Sequence, residues 1–509
     1  MSRIEVNVNL NRVEGDLEIA LILENGVVAE ARTIGTLYRG FEQILVGRTP
    51  RDAMVLTPRV CGICGTAHLY SAVLALEHIW RTPVPPNATR IRNLCLIAEG
   101  IQNDLRQTFL FFAPDFCNPR YTHESWFDPL MQAFEPFKGA IYRETLAITR
   151  RVVEIVAHFG GQWPHSSYMM PGGVCTGADL RRVLACQAAL DDAQRWYETR
   201  IIGARLDDWL ALDSADGYLA WLDTPAHADS ALGLLSRCAR ALGLHRSAAG
   251  ATHMVSFGSW CDPENWSPSA EARVLPSGFY DGDAGVVAPL DQSMINEHVR
   301  HSWFRPYEGG RHPWQGETIP NFQPKSDRYT WAKAPRYGDK VVQTGPLAEL
   351  LIAGDPLITA LHASEGGSAW LRQFARVRRI AFEFVHARRM LDDLAAELQG
   401  DHYLAPSKSD EIDGEGYGLM MAARGALGHW VKIKDGVIEK YQIVTPTAWN
   451  ASPRDSDGQP GHWEQSLVGI EVQDTDDPVE IGHIIRSHDP CLVCTVHMLD
   501  TGKRVSFGA

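Results

Sequence analysis

Along the first 40 residues apolar and polar side chains alternate. Val6, Val8 and Leu10 share one face, and the runs Leu17–Leu23 and Val27–Ile34 flank Glu24-Asn25-Gly26, a hairpin-type turn. From about Thr66 to Leu212 the period lengthens. Ile91–Phe112, Phe137–Phe159 and Leu180–Leu212 carry apolar residues three and four apart, which predicts long helices buried in a bundle. Residues 250–345 lose the period and are rich in Gly, Pro, Trp and Asp, so short strands and loops are expected. A helix over about Ala369–Leu398 follows, and then a second hairpin, Gly428–Ile433 and Val437–Val444, around Lys434-Asp435-Gly436.

The pattern predicts an α+β fold, a large helical core with small antiparallel sheets at the N-terminal and C-terminal regions. It divides into a β region with residues 1–65, a bundle over 66–249, an irregular insertion over 250–345, a helix returning to the bundle over 346–400, a β/α region over 401–497 and a tail over 498–509. A chain of 509 residues is larger than one simple core, so one very large domain or two to three merged domains are expected. No stretch approaches the ~18 uninterrupted apolar residues of a membrane helix. The N-terminus alternates like a strand and has no apolar signal core, which predicts a cytoplasmic protein, membrane-associated if its partners are. A net charge of −14 without a basic stripe argues against nucleic acid.

Two Cys-x-x-Cys pairs, each followed by a histidine, sit near opposite ends. The first is Cys61-Gly-Ile-Cys64 with His68; the second is Asp489-Pro490-Cys491-Leu-Val-Cys494 with His497. Thiolates are soft ligands that select zinc, iron–sulfur, copper(I) or nickel over magnesium and calcium. Structural zinc knuckles place their pairs within about 15–20 residues. These pairs are separated by nearly the whole chain, so the metal site must be one that the fold closes by joining its ends. The other six cysteines (95, 117, 175, 186, 238, 261) form no such pair and read as packing residues.

The paired motifs resemble the signature of the large subunit of nickel–iron hydrogenases. So do Arg12-Val-Glu14-Gly15, Arg39-Gly-Phe-Glu42, Pro164-His165 to Pro171-Gly-Gly, Arg424-Gly-Ala-Leu-Gly-His-Trp430 and Pro446-Thr-Ala-Trp-Asn450-x-x-Pro-Arg454, in that order. The resemblance implies reversible heterolytic oxidation of H2, mainly in the uptake direction. It implies Cys61 and Cys491 as terminal nickel ligands. Cys64 and Cys494 would bridge to an iron carrying carbon monoxide and two cyanides.

Two proton acceptors are open, Cys491 with Glu14 as first relay, or Arg424 oriented by Asp104 and Asp489. The first is favoured because arginine rarely gives up its proton. Thr447 would hydrogen-bond a cyanide, and His68 would orient a cysteine sulfur or a nearby carboxylate. Glu42, the Ala451 carbonyl and His497 would hold magnesium. An iron–sulfur small subunit is required as electron acceptor, along with maturation factors and a C-terminal endopeptidase acting between His497 and Met498.

Departures point to a subgroup. Met421-Ala422-Ala423 stands where many members have Glu-Ala-Pro, and the segment Asp104–Asp115 replaces a His-rich helix, as in the cytoplasmic uptake and hydrogen-sensing branch. Ile63 and Phe112 stand where smaller residues border the gas route. They favour a low-turnover sensor, whereas the tail favours the uptake enzyme. A relative of the quinone-binding subunit of respiratory complex I would lack the four thiols.

Overall fold

The computed structural model describes residues 3–15, 17–324, 326–407 and 412–491. Cys494, His497 and the tail beyond them lie outside the described residues. The N-terminal strands β1 (Arg3–Leu10), β2 (Leu17–Glu24) and β3 (Val27–Gly35) form an antiparallel meander. Asn25 (φ 55°) and Gly26 (φ 84°) supply the left-handed pair that a two-residue hairpin demands. Leu17, Ile19, Leu21 and Leu23 face inward, on a small core shared with Ile481, Ile484 and Ile485. The two ends of the chain are thus already packed together here.

Helices α1 (Gly65–Trp80) and α2 (Pro86–Arg106) begin the bundle; α3 (Ala140–Gly160) packs on α2, and α4 (Leu180–Trp196) packs on α3. The predicted helix over Ile91–Phe112 is instead α2 followed by a wider π turn, Gln107–Phe112, which ends before Pro114. Phe137 has φ 64° and lies outside α3, since Pro136 and Gly139 delay the helix start. The run to Leu212 also breaks. A π turn, Tyr197–Ile202, ends at Gly203 (φ 63°), and only a short helix, Leu206–Leu210, follows.

Between 250 and 345 a four-stranded sheet forms from β4 (His253–Ser256), β5 (Gly278–Asp281), β6 (Val286–Ala288) and β7 (Val342–Gln343) in the order β6-β5-β4-β7, with β7 parallel to β4. Helix α5 (Ala369–Ala396) starts at Ser368, whose hydroxyl accepts from Leu371 N (3.1 Å). It packs on α2 and α4 and buries Arg372, Arg376, Arg378 and Arg379. Such charges are tolerated only with partners. On the neighbouring pair of helices, buried Arg92 of α2 likewise meets Glu77 of α1 (2.8 Å) and the carbonyls of Met170 and Gly173.

The predicted second hairpin is part of a three-stranded sheet, β8 (Gly414–Ala422), β9 (Gly425–Lys434) and β10 (Val437–Val444). β8 escaped the sequence reading because glycines at 414, 416 and 418 weaken a strand pattern. They serve close packing on α1: a Cβ on Gly418 would come within 2.0 Å of Ser71 O, and one on Gly416 within 2.6 Å of Ala75 O. The short helix α6 (Pro446–Asn450) and α7 (Val479–Ser487) then bring the chain back to β1.

Candidate metal centre

Cys61 follows a 3-10 turn, Thr57–Arg59, and Cys64 is the N-cap of α1, so the first pair straddles a helix N-terminus, whose dipole favours thiolate. Glu99 of α2 clamps this turn by accepting from Thr66 N (3.0 Å) and Ala67 N (3.2 Å). Burial pushes its pKa up to about 7. Arg39 binds the carbonyls of Arg59 and Val60 just before Cys61.

The other end arrives through backbone pairing. Glu14 and Cys491 form a parallel bridge, Glu14 N donates to Pro490 O (3.3 Å), and Cys491 N donates to Thr447 Oγ1 (3.2 Å). The Cys61 and Cys491 sulfurs then stand 3.5 Å apart, and those of Cys61, Cys64 and Cys491 all lie within 4.8 Å of one another in a buried pocket. Three converging buried thiols fit a soft transition-metal centre.

Arg424 stands in the tight turn joining β8 to β9, where Ala422 pairs with Gly425. Its Nε donates to Asp489 Oδ1 (2.9 Å), and its buried Nη1 has no hydrogen-bond partner among the described residues. Burial opposes the guanidinium charge, but Asp489 and the sulfurs of Cys491, Cys61 and Cys64 outweigh it and hold the pKa well above the ordinary value. Burial, followed by the Cys61 sulfur, raises the Glu14 carboxyl above the usual range, and Arg424 and Arg39 oppose this.

Asp104 does not bond to Arg424 among the described residues, which corrects the sequence expectation. Its oxygens take Arg376 Nη1 (3.0 Å) and Arg379 Nη2 (2.6 Å). Arg376 also reaches Asp489 Oδ2 (3.1 Å), and Arg379 donates to Ala423 O (2.6 Å). Asp104 therefore acts through α5, one arginine removed from Arg424. Asn103 Nδ2 adds a bond to Asp489 Oδ2 (2.7 Å). The α5 arginines were missed, although four arginines within eight residues of an otherwise apolar helix are the signal that could have found them.

His68 also finds a different neighbour from either expected. Its Nδ1 lies 3.1 Å from His429 Nε2, and His429 Nδ1 lies 2.8 Å from the Tyr441 hydroxyl. Glu42 accepts from Ile443 N (2.8 Å) and lies 3.3 Å from Lys333 Nζ, which also meets Glu297 (2.7 Å) and Gln442 (2.8 Å). Ala451 N donates to Thr447 O (2.8 Å), and no hydrogen bond joins Ala451 to Glu42 among the described residues. Glu297 Oε1 is a buried acceptor without a partner among those residues. Glu297 keeps spare acceptor capacity close to Glu42, and carboxylate oxygens suit a hard cation.

Ile63 is half-buried, its amide donating to Cys61 Sγ (3.3 Å). Phe112 is fully buried in the π turn, edge-on to Phe116 and His483. No helix among the described residues is long and apolar enough to cross a membrane.

The sequence profile described as nickel-dependent hydrogenase matches residues 39–128 and 238–497. The periplasmic [NiFeSe] hydrogenase large subunit of Desulfomicrobium baculatum is 31% identical over 536 residues, covering 97% of this chain and 95% of its own. The uptake hydrogenase large subunit of Bradyrhizobium diazoefficiens is 28% identical, with 96% of this chain and 94% of its own covered. The crystal structure of the reduced, active Ni-Fe-Se hydrogenase from Desulfomicrobium baculatum superposes with a TM-score of 0.81 at 30% identity, over 97% of this chain and all of that one. With the thiols of both chain ends gathered in one pocket on this fold, the chain belongs to the nickel-dependent hydrogenase family, as a large subunit.

Proposed function

We propose that this large subunit works in the uptake direction, oxidising H2 and delivering electrons to an iron–sulfur small subunit. The observation that carries the reading is the buried meeting of Cys61, Cys64 and Cys491 beside Glu14 and the open Nη1 of Arg424. Cys61 and Cys491 would hold nickel, and Cys64 with Cys494 would hold nickel and iron together. When bound, the nickel–iron group with its diatomic ligands supplies the redox centre at which hydrogen is split heterolytically.

The residues divide the remaining work by charge. Cys491 Sγ accepts the proton and Glu14 collects it, burial and the Cys61 sulfur having raised the affinity of its carboxyl for a proton. Arg424 stays charged beside the sulfurs and stabilises negative charge there, with Asp489 fixing its orientation. Thr447 accepts from the Cys491 amide, so its own hydroxyl proton remains to be donated toward a cyanide. Glu42, the Ala451 carbonyl and His497 are assigned to magnesium, with Glu297 and Lys333 close by.

The electron relay is assigned to the iron–sulfur small subunit. Maturation factors and cleavage after His497 complete the assembly. The cytoplasmic location expected from the sequence stands against a relative named as periplasmic, and fractionation with the small subunit decides between them.

A low-turnover hydrogen sensor is the second reading, favoured by fully buried Phe112 and half-buried Ile63, the bulky residues that the resemblance places along the gas route. Hydrogen-dependent dye reduction by the purified heterodimer separates the two: fast turnover supports uptake, slow turnover the sensor, and none overturns both. Ile63→Val with Phe112→Leu is expected to speed inactivation by oxygen, and an unchanged rate removes the gas-filter role.

A further inference from the structure

We infer that Thr344 is a positioning residue for Arg424, its hydroxyl anchoring the turn that carries this arginine. Ala422 pairs with Gly425, so Ala423 and Arg424 make up the whole loop between β8 and β9. A two-residue hairpin loop follows the twist of its strands when its first residue, or both, are left-handed, which Asn-Gly and Gly-x supply. Here neither Ala423 nor Arg424 has a positive φ. The local sequence therefore does not specify this turn, and groups outside it must.

Two neighbours do so, one on each side of Arg424. Ala423 O accepts from Arg379 Nη2 (2.6 Å), while Arg379 Nε and Nη1 are held by Asp104 (2.9 Å) and Glu349 (2.8 Å). Ala426 N donates to Thr344 Oγ1 (2.8 Å), and that hydroxyl donates in turn to Val255 O (2.9 Å) in β4. The Ala426 amide lies before the start of the ladder with β10, which begins at Gly428, so Thr344 stands where a third strand would have. Thr344 is itself fixed by Asn450, whose side-chain amide accepts from Thr344 N (3.0 Å) and donates to Thr344 O (2.9 Å). The approach is close: a Cβ on Gly425 (φ 135°) would come within 2.6 Å of Thr344 Cγ2. Ala426 is fully buried, so its amide would bear the whole desolvation penalty if the hydroxyl were lost. Arg424 is thus anchored twice, through its backbone at this clamp and through Nε at Asp489. Moving the first anchor moves the guanidinium. Arg379 cannot be altered without stranding Asp104, but Thr344 is neutral and lies outside the ionic network.

Only the effect on turnover rests on the hydrogenase reading. The test uses the holoenzyme with its small subunit and two crossed variants. Thr344→Val keeps the shape and removes the hydroxyl; Thr344→Ser keeps the hydroxyl and removes the methyl. Thr344→Val is expected to lower kcat about tenfold with KM for H2 unchanged, as the loss of one neutral hydrogen bond would. It should also speed amide hydrogen exchange in peptides covering 421–428, while those of α2 and α5 keep the parent's rates. Thr344→Ser should match the parent in both readouts. Only this order supports the inference. Harm from Ser with none from Val would show that the threonine merely fills space beside Gly425, and any other order overturns the inference as well. The residual turnover of Arg424→Lys, which lacks the guanidinium fork, should lose nothing further when Thr344→Val is added. An equal loss in both backgrounds would mean that Thr344 does not act through Arg424. Absence of hydrogen-dependent dye reduction in the unmodified enzyme would sink the hydrogenase reading and leave the exchange result to judge the clamp.

Discussion

Two buried polar networks approach the cysteines, and they are built on opposite principles. One is ionic: Arg424, Asp489, Arg376, Asp104, Arg379 and Glu349 alternate in sign from the pocket into α5. The other is neutral, the His68–His429–Tyr441 row. The ionic network fixes where charge resides, at the cost of desolvating every member, so each depends on the next. The neutral row holds no net charge and joins its members by hydrogen bonds alone. One therefore bears on stability and field together, the other on hydrogen bonding alone.

The largest effect is expected from breaking the ionic network at its junction. Asp489→Ala leaves Arg424 and Arg376 short of a counter-charge and should destabilise the fold by about 3–5 kcal/mol, besides abolishing turnover. Denaturant unfolding measures it, and an unchanged midpoint would show that the network is not cooperative. Next is Glu14→Gln, at a half-buried residue outside both networks. Turnover should fall about a hundredfold or more, as for a lost proton-transfer group. Stability should stay within roughly 0.5 kcal/mol of the parent, and a large loss of stability would make Glu14 structural instead.

The smallest concerns a carboxyl in mainly neutral company. Burial pushes Glu464 up to about 7, although it accepts from Thr33 N (3.1 Å) and Tyr329 Oη (2.8 Å). Between the unfolded value of 4.5 and about 7 the folded state holds a proton that the unfolded state has lost, so Glu464 makes stability fall as pH rises through that window. Glu464→Gln should flatten this slope by on the order of 1–2 kcal/mol. A parallel slope in the variant would place the titration elsewhere.

Much of this could be read along the chain, because the responsible patterns are local. Asn25-Gly26 and Asp435-Gly436 announce their turns, and the apolar period of α3 and α5 survives tertiary packing with ends shifted by a few residues. The π turns after α2 and α4 were not legible, since apolar spacing continues through them while the backbone widens. Asp104 shows the same limit within the site. That it needed a buried partner followed from its apolar helix, but which arginine answered depended on how α5 crosses α2.

The sequence by itself determined the ligand chemistry: four thiols in two distant pairs, with Glu14, Arg424 and Asp489 in motifs that resemble one family. Tertiary structure alone decided which groups meet. Arg376 and Arg379 stand between Asp104 and Arg424, and Tyr441 speaks to His68 through His429. The physical reason is that ligand preference belongs to a side chain's own electronic character. The sign of a field or the direction of a hydrogen bond belongs to pairs of groups, and those pairs exist only once α1, α5 and the β8–β10 sheet have packed.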